Sequence, residues 1–237
     1  MNRIRNIIFT LLITAIALAS CSVRTDPGDF TAAELETIGR TDTIMRVLTI
    51  ADSLDTAVLR ASSRDLSVSA LLSDEYARLE QMMISTVTHP SQDGVGIAGP
   101  QVGLNRRIVV VQRFDKKGEP FEAYPNIRII WASDSLAYGP EGCLSVPDRR
   151  GEVLRSQEIV IEYADLDLLK AGCSGSADPK DTESLFETPQ NKTGRCGRNN
   201  RTPYGIPMKR DTVKGFTAVI FQHETDHLDG ILYIDRI

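Results

Sequence analysis

Between residues 70 and 86, Leu72, Tyr76, Leu79 and Met83 recur at helical spacing and share one apolar face, which predicts an amphipathic helix. The polar run Thr88-His89-Pro90-Ser91 ends it, and Met82 and Met83 read as core filler. Four shorter patterns predict strands: MRVLTI (45–50), RIVVVQR (107–113), FEAYPNIRIIW (121–131) and QEIVIEYADLD (157–167). Pro125 forces an edge or a bulge on the third. In the fourth, Ile159, Ile161 and Tyr163 alternate with Val160, Glu162 and Ala164, so one face carries the larger apolar groups. Asp115-Lys116-Lys117-Gly118 is turn chemistry. The last element, GFTAVIFQHETDHLDG (215–230), places Phe216, Val219, Ile220, His223 and His227 on one helical stripe. No Gly or Pro interrupts 216–229, and Gly230 stands where a helix stops.

Two stretches lie outside this pattern. Residues 168–210 are rich in Gly, Pro, Asn, Lys, Asp and Ser and show no apolar period, so they read as an insertion loop. Residues 1–21 carry Arg3 and Arg5, then an apolar run from Ile7 to Leu18, then small residues up to Cys21: a secretory signal, too short for a comfortable membrane span. Leu18-Ala19-Ser20-Cys21 resembles the lipobox of bacterial lipoproteins, which implies a lipidated Cys21 as mature N-terminus and an extracytoplasmic, membrane-anchored protein of the cell envelope. A plain signal peptide, an uncleaved anchor, and a cytoplasmic product started at Met45 are the other readings. Residues 22–44 are polar and mixed and read as a tether, leaving 45–237 as the folded domain.

The length of 237 residues suits one domain with tails, and 41% hydrophobic residues suffice for a sizeable core. A net charge of −5, with no basic run beyond the N-terminus, argues against a nucleic-acid partner. Cys21, Cys143, Cys173 and Cys196 make no disulfide framework, although Cys173 and Cys196 bracket part of the insertion and outside the cytoplasm could close it. His89 sits beside a proline in a polar break and reads as an exposed loop residue.

His223-Glu224-Thr225-Asp226-His227 puts two imidazoles one helical turn apart on one face, suited to two ligands of a tetrahedral metal, with Glu224 beside them as general base. Two histidines on a helix face amid ordinary salt bridges is the plainer alternative. Such a site needs a third protein ligand and an open position. Glu141-Gly142-Cys143-Leu144-Ser145 offers a thiolate, or else a small buried hydrophobe. Gly94-Val95-Gly96-Ile97-Ala98-Gly99-Pro100-Gln101 lacks the endings of a phosphate or dinucleotide loop; its glycines let an extended peptide approach, and Gln101 carries an amide donor.

Together GVGIAGPQ, EGCLS and QHETDH, in this order, resemble the peptide deformylase family, from about Met45 to Ile237 apart from the insertion. The resemblance implies an α+β fold with small antiparallel sheets around a central metal-binding helix. It implies a role in protein biosynthesis, removing the formyl group from N-formylmethionyl peptides. By the same resemblance Cys143, His223 and His227 bind one divalent metal, Glu224 carries the proton, and Gln101 with the backbone N–H of Leu144 stabilises the oxyanion. Gly96 would pair with the peptide backbone, Arg150 would contact the peptide, and Arg155 would partner Glu141. Val95, Phe216, Val219 and Ile220 would line the methionine pocket, or serve equally as core. The family often uses Fe²⁺, whereas an extracytoplasmic member is expected to hold redox-inert Zn²⁺. The signal, the insertion, Gly99 in place of a commoner alanine, and a chain ending soon after the metal helix depart from the family pattern. A zincin-type metallopeptidase and a catalytically inert formyl-peptide-binding lipoprotein are the competing readings.

Overall fold

The computed structural model describes residues 26–40, 44–92, 94–174 and 205–237. The signal region, Cys21, Cys196, the side chain of Cys173 and hence the expected disulfide lie outside the described residues. The chain runs α1 (Ala32–Gly39), α2 (Ser53–Leu59), α3 (Val68–Leu71), α4 (Asp74–Val87), β1 (Gly96–Ala98), a 3-10 turn (Gly99–Val102), β2 (Ile108–Gln112), β3 (Phe121–Pro125) and β4 (Arg128–Ala132). It continues with β5 (Leu136–Cys143), β6 (Val146–Ser156), β7 (Glu158–Ala164), α5 (Leu166–Ser174), β8 (Met208–Lys214), α6 (Gly215–Leu228) and a second 3-10 turn (Tyr233–Asp235). The strands form antiparallel sheets β1-β2-β3 and β4-β7-β8 and the ribbon β5-β6. Helix α6 packs against members of all three, so the α+β expectation with a central helix is met.

Strand β2 explains how two helices share one sheet. Ile108, Val109, Val110 and Val111 are all fully buried, because a strand's side chains alternate between faces and both faces are covered. Ile108 and Val110 join the cluster of Leu79 and Met83 from α4. Val109 and Val111 join that of Ile220 and Phe221 from α6. Each such side chain contributes roughly 1.5–3 kcal/mol of burial, so β2 presses α6 into place from behind.

The helix expected over 70–86 begins at Asp74, where Ser73 caps it by accepting from the Tyr76 N–H at 3.2 Å, and α3 occupies the preceding turn. The single strand expected over 121–131 is two strands in different sheets, broken at Asn126, which adopts φ 54° and bonds both the N–H and the C=O of Leu66 at 2.7 and 2.9 Å. Pro125 does end an edge strand. Residues 45–50 join no sheet. They run extended, the Leu48 N–H donating to the Gln101 C=O at 2.8 Å and the Ile50 N–H to the Ser145 C=O at 2.9 Å. The ribbon β5-β6 and strand β8 carry no apolar alternation and escape a periodicity reading. Helix α5 and β8 also take both ends of the expected insertion into regular structure.

The tether expected over 22–44 is packed from residue 26 onward. A Thr31–Glu34 capping box starts α1, Ile38 is fully buried, and the buried Arg106 donates to Glu34 Oε1 at 2.7 Å and to the carbonyls of Pro27 and Asp29 at 3.0 and 2.5 Å. Burial alone would raise the Glu34 carboxyl, but hydrogen bonds from Arg106 and Thr31 hold it below its ordinary 4.5. The stabilisation is therefore present above 4.5 and lost as pH falls through the lowered value. Replacing Glu34 by Gln should lower stability by about 2 kcal/mol at neutral pH. That deficit should shrink on acidification to about pH 3.5, as urea melts at the two pH values would read.

Candidate metal centre

Helix α6 begins at Gly215, whose φ of 61° lets the chain turn sharply out of β8. It ends at Gly230, where φ is 74° and a Cβ would overlap the Arg60 carbonyl. Between these stops His223 and His227 face the end of β5, and one ligand atom each from Cys143, His223 and His227 lie within 4.8 Å of one another. The Cys143 Sγ stands 3.2 Å from His227 Nε2. His223 Nδ1 is 2.8 Å from Glu141 Oε2, and Arg155 grips the same carboxylate at 2.8 and 3.0 Å. A proton on Nδ1 shared with Glu141 leaves the His223 lone pair on Nε2, toward Cys143.

The electrostatics of the cluster favour one positive charge. Burial opposes an imidazolium at His223, yet hydrogen bonds to Cys143 and Glu141 and the charge of Glu224 raise it to about 10. Burial and the nearby His223 charge push His227 well below its ordinary value. Glu141 falls to about 2 despite its burial, because His223 and Arg155 both bond its carboxylate. One sulfur and two imidazole nitrogens around a cation-preferring point fit a divalent transition metal of the zinc or iron kind.

Glu224, 4% exposed, is raised by burial to about 7, and its Oε2 is buried without a hydrogen-bond partner among the described residues. Its seat explains Gly96: a Cβ there would overlap Glu224 Oε1 and lie 2.9 Å from its Cδ. Gln101, 1% exposed, accepts the Ala98 N–H on Oε1 at 2.8 Å, which turns Nε2 toward Ser145 Oγ at 3.3 Å and Cys143 Sγ at 3.6 Å. Gly99 is required as well, since a Cβ would lie 2.6 Å from the Arg106 carbonyl oxygen, which accounts for the missing alanine.

The cluster sits in the wall of an open cleft of about 730 Å³. Val95, Gly96, Arg150, Phe216, Val219 and Ile220 all line it, as do Gln101, Leu144 and Glu224; His227 lies behind the wall, 1% exposed. The choice between pocket and core resolves residue by residue. Phe216 is 56% exposed against Phe114, Val219 is half-buried, and Ile220 backs the cleft while belonging to the core. Sequence reasoning missed Ser145, Asp226 and Tyr233. The first two lay inside recognised motifs, where a polar residue was itself the signal. Tyr233, whose ring stacks 6.1 Å from that of His223, carried none.

A thiol and two imidazoles gathered beside a buried carboxylate, at the foot of a peptide-sized cleft, define a metal-dependent hydrolase. The family model for polypeptide deformylase matches residues 44–171 and 206–237. Peptide deformylase 2 of Gloeobacter violaceus is 32% identical over 186 residues, covering 78% of this chain and 76% of that one. The peptide deformylase of Caulobacter sp. is 30% identical over 195 residues, covering 82% and 88%. Among solved structures, a Met-Ala-Ser-bound class I type b peptide deformylase from Acinetobacter baumannii superposes with a TM-score of 0.58 at 27% identity, over 82% of this chain and 98% of that one. The peptide deformylase of Thermotoga maritima gives 0.57 at 26%, over 82% and 97%. The chain belongs to the polypeptide deformylase family. It is a metal-dependent hydrolase that removes formyl groups, and neither competing reading is favoured.

The contact between Gly96 and Glu224 is directly testable. Gly96→Ala should displace the carboxylate and lower kcat/KM for a formyl peptide by about 100-fold, with circular dichroism unchanged.

Proposed function

We propose that Cys143, His223 and His227 hold the metal and that Glu224 moves the proton as this chain deformylates N-formylmethionyl peptides. The observation that carries the reading is the convergence of the three ligand atoms within 4.8 Å beside a buried carboxylate. A divalent ion there supplies Lewis acidity, which makes water nucleophilic near neutral pH. Glu224 takes a proton from the water that attacks the formyl carbon. As the C–N bond breaks it returns that proton to the departing amine, and formate leaves with the amine free. Burial raises this carboxyl above its ordinary value, the direction suited to a group that both takes and returns a proton.

Gln101 Nε2, aimed by the Ala98 N–H on its other end, donates to the oxyanion, and the Leu144 N–H in the turn after Cys143 is the second donor. Each is worth ~3–4 kcal/mol in comparable sites. Strand β1 is an edge strand, so a peptide can add beside Gly96 by main-chain pairing. Val95, Phe216, Val219 and Ile220 receive the methionine side chain, and Arg150 at the cleft mouth meets the peptide further along. Glu224→Ala should retain stoichiometric metal and lose formate release from formyl-Met-Ala-Ser by ~1,000-fold or more. An unblocked peptide should remain uncut, which an amine-release assay would show.

The signal over 1–21, the lipid on Cys21, a domain that starts at residue 26 rather than 45, and an insertion confined to the stretch between α5 and β8 form the second part of the proposal. Only residues 22–25 separate Cys21 from the packed segment that starts at 26, a reach of roughly 17 Å at full extension. A lipid on Cys21 would therefore hold the domain against the bilayer surface. No helix among the described residues is long and apolar enough to cross a membrane. A cytoplasmic product begun at Met45 would lack Glu34, Phe30 and Ile38, which Arg106 and α4 pack against, and this favours the longer chain. Outside the cytoplasm the metal is Zn²⁺ rather than Fe²⁺; metal analysis of envelope-purified protein finding iron would reject that choice. Cys21→Ser should move the protein from the membrane pellet to the soluble fraction, as fractionation and immunoblotting would measure.

A further inference from the structure

The last residues of the sequence touch three different parts of the ligand shell. The buried ring of Tyr233 stacks on that of His223, 23° from parallel. Arg236 closes a two-point fork on Asp226, Nε to Oδ2 and Nη2 to Oδ1, each at 2.5 Å. Ile237 covers Gly151, where a Cβ would come within 2.8 Å of it, and Gly151 is the cross-strand partner of Glu141. A separate tie, from Arg60 to Asp235 and to the Gly230 carbonyl, holds the same segment to the end of α2 outside the row that runs from Arg236 to Glu141.

The fork on Asp226 continues inward. Asp226 Oδ2 also accepts from Arg155 Nη1 at 2.7 Å, and the remaining arms of Arg155 hold Glu141, which fixes His223 Nδ1. Signs alternate along this row: Arg236 positive, Asp226 negative, Arg155 positive, Glu141 negative. Asp226 is 9% exposed within α6, so its charge must be met where it stands. With Arg236 removed, Oδ1 loses its donor and Arg155 becomes the only guanidinium on Asp226. Arg155 is then drawn toward that carboxylate and away from Glu141, and the His223 ring loses its fixed orientation.

We propose that Arg236 is a positioning residue for the metal, and that residues 233–237 act as a clamp setting how firmly the ligand set retains its ion. The proposal rests on the assignment of Cys143, His223 and His227 as ligands. It assigns to the end of the chain a function in metal retention that the site residues alone do not reveal. Loss of an outer partner of a ligating histidine typically weakens metal binding about 10–100-fold.

The test uses the full chain loaded with Co²⁺, whose visible bands report ligand geometry, and measures release to excess chelator. Arg236→Ala should shift the bands and release cobalt about 10–100-fold faster than wild type. Arg236→Lys keeps the charge but not the fork, and should also release faster. Arg60→Ala cuts the ties to Asp235 and to the Gly230 carbonyl but leaves the row from Arg236 to Glu141 whole, and should stay closer to wild type. Wild-type release and unshifted bands in Arg236→Ala would overturn the proposal, as would an Arg60→Ala effect equally large, which would mean general loosening. Should Arg236→Ala not fold, Arg236→Lys decides: faster release supports the clamp and unchanged release refutes it. His223→Ala and Cys143→Ser test the underlying assignment separately, since cobalt bands unchanged in those two would show that the ligands lie elsewhere.

Discussion

One thiol sulfur and two imidazole nitrogens, separated by about eighty residues of chain, have to meet at a buried point that favours positive charge. The rest of the molecule can be understood from what that meeting requires. The histidines come from α6, which two sheets and the β5-β6 ribbon surround. The sulfur comes from the end of β5, in a two-stranded ribbon that is marginal by itself. Arg155 joins the two, holding Glu141 on the ribbon and Asp226 on the helix. A buried guanidinium between two carboxylates adds little net stability compared with an apolar core, but it fixes where its partners stand. Here the partner so fixed orients His223.

The same economy governs two side chains beside the cluster. Glu224 and Gln101 are almost fully buried, and the backbone helps to place each of them. Gly96 gives Glu224 its room, and the Ala98 N–H orients Gln101. The extended run over 45–50 then ties the Gln101 carbonyl and the Ser145 carbonyl to one strip of chain. A segment that belongs to no sheet thereby holds the backbone at Gln101 and at Ser145 at a set separation.

At the other end of the molecule, α1 and the residues before it are part of the domain. Glu34 and the carbonyls of Pro27 and Asp29 satisfy Arg106, a cation 2% exposed that lies just before β2. Residues 26–40 are thus held to the catalytic domain by packed structure.

How much of this was legible beforehand follows the range of each interaction. Cys143, His223, His227, Glu224, Gln101 and the glycines around it stand in short motifs, and a turn of helix or strand carries their geometry, so the residues alone pointed to the cluster that the structure gathers. The helices α4 and α6 and the strands β2 and β7 were legible because one-sided or full burial leaves a periodic trace. The β5-β6 ribbon, β8 and the split at Asn126 were not, since exposed or polar strands leave no such trace. The packing of residues 26–40 was hidden because a short helix with one buried isoleucine looks like linker until Arg106, far along the chain, supplies its partner. The sequence by itself determined the chemistry of the site, because ligand type and one-turn spacing are local facts. The expected pairing of Arg155 with Glu141 is met, but only the tertiary structure decided that Asp226, Tyr233 and Arg236 would join them, because buried charges and rings find their partners through packing across distant segments.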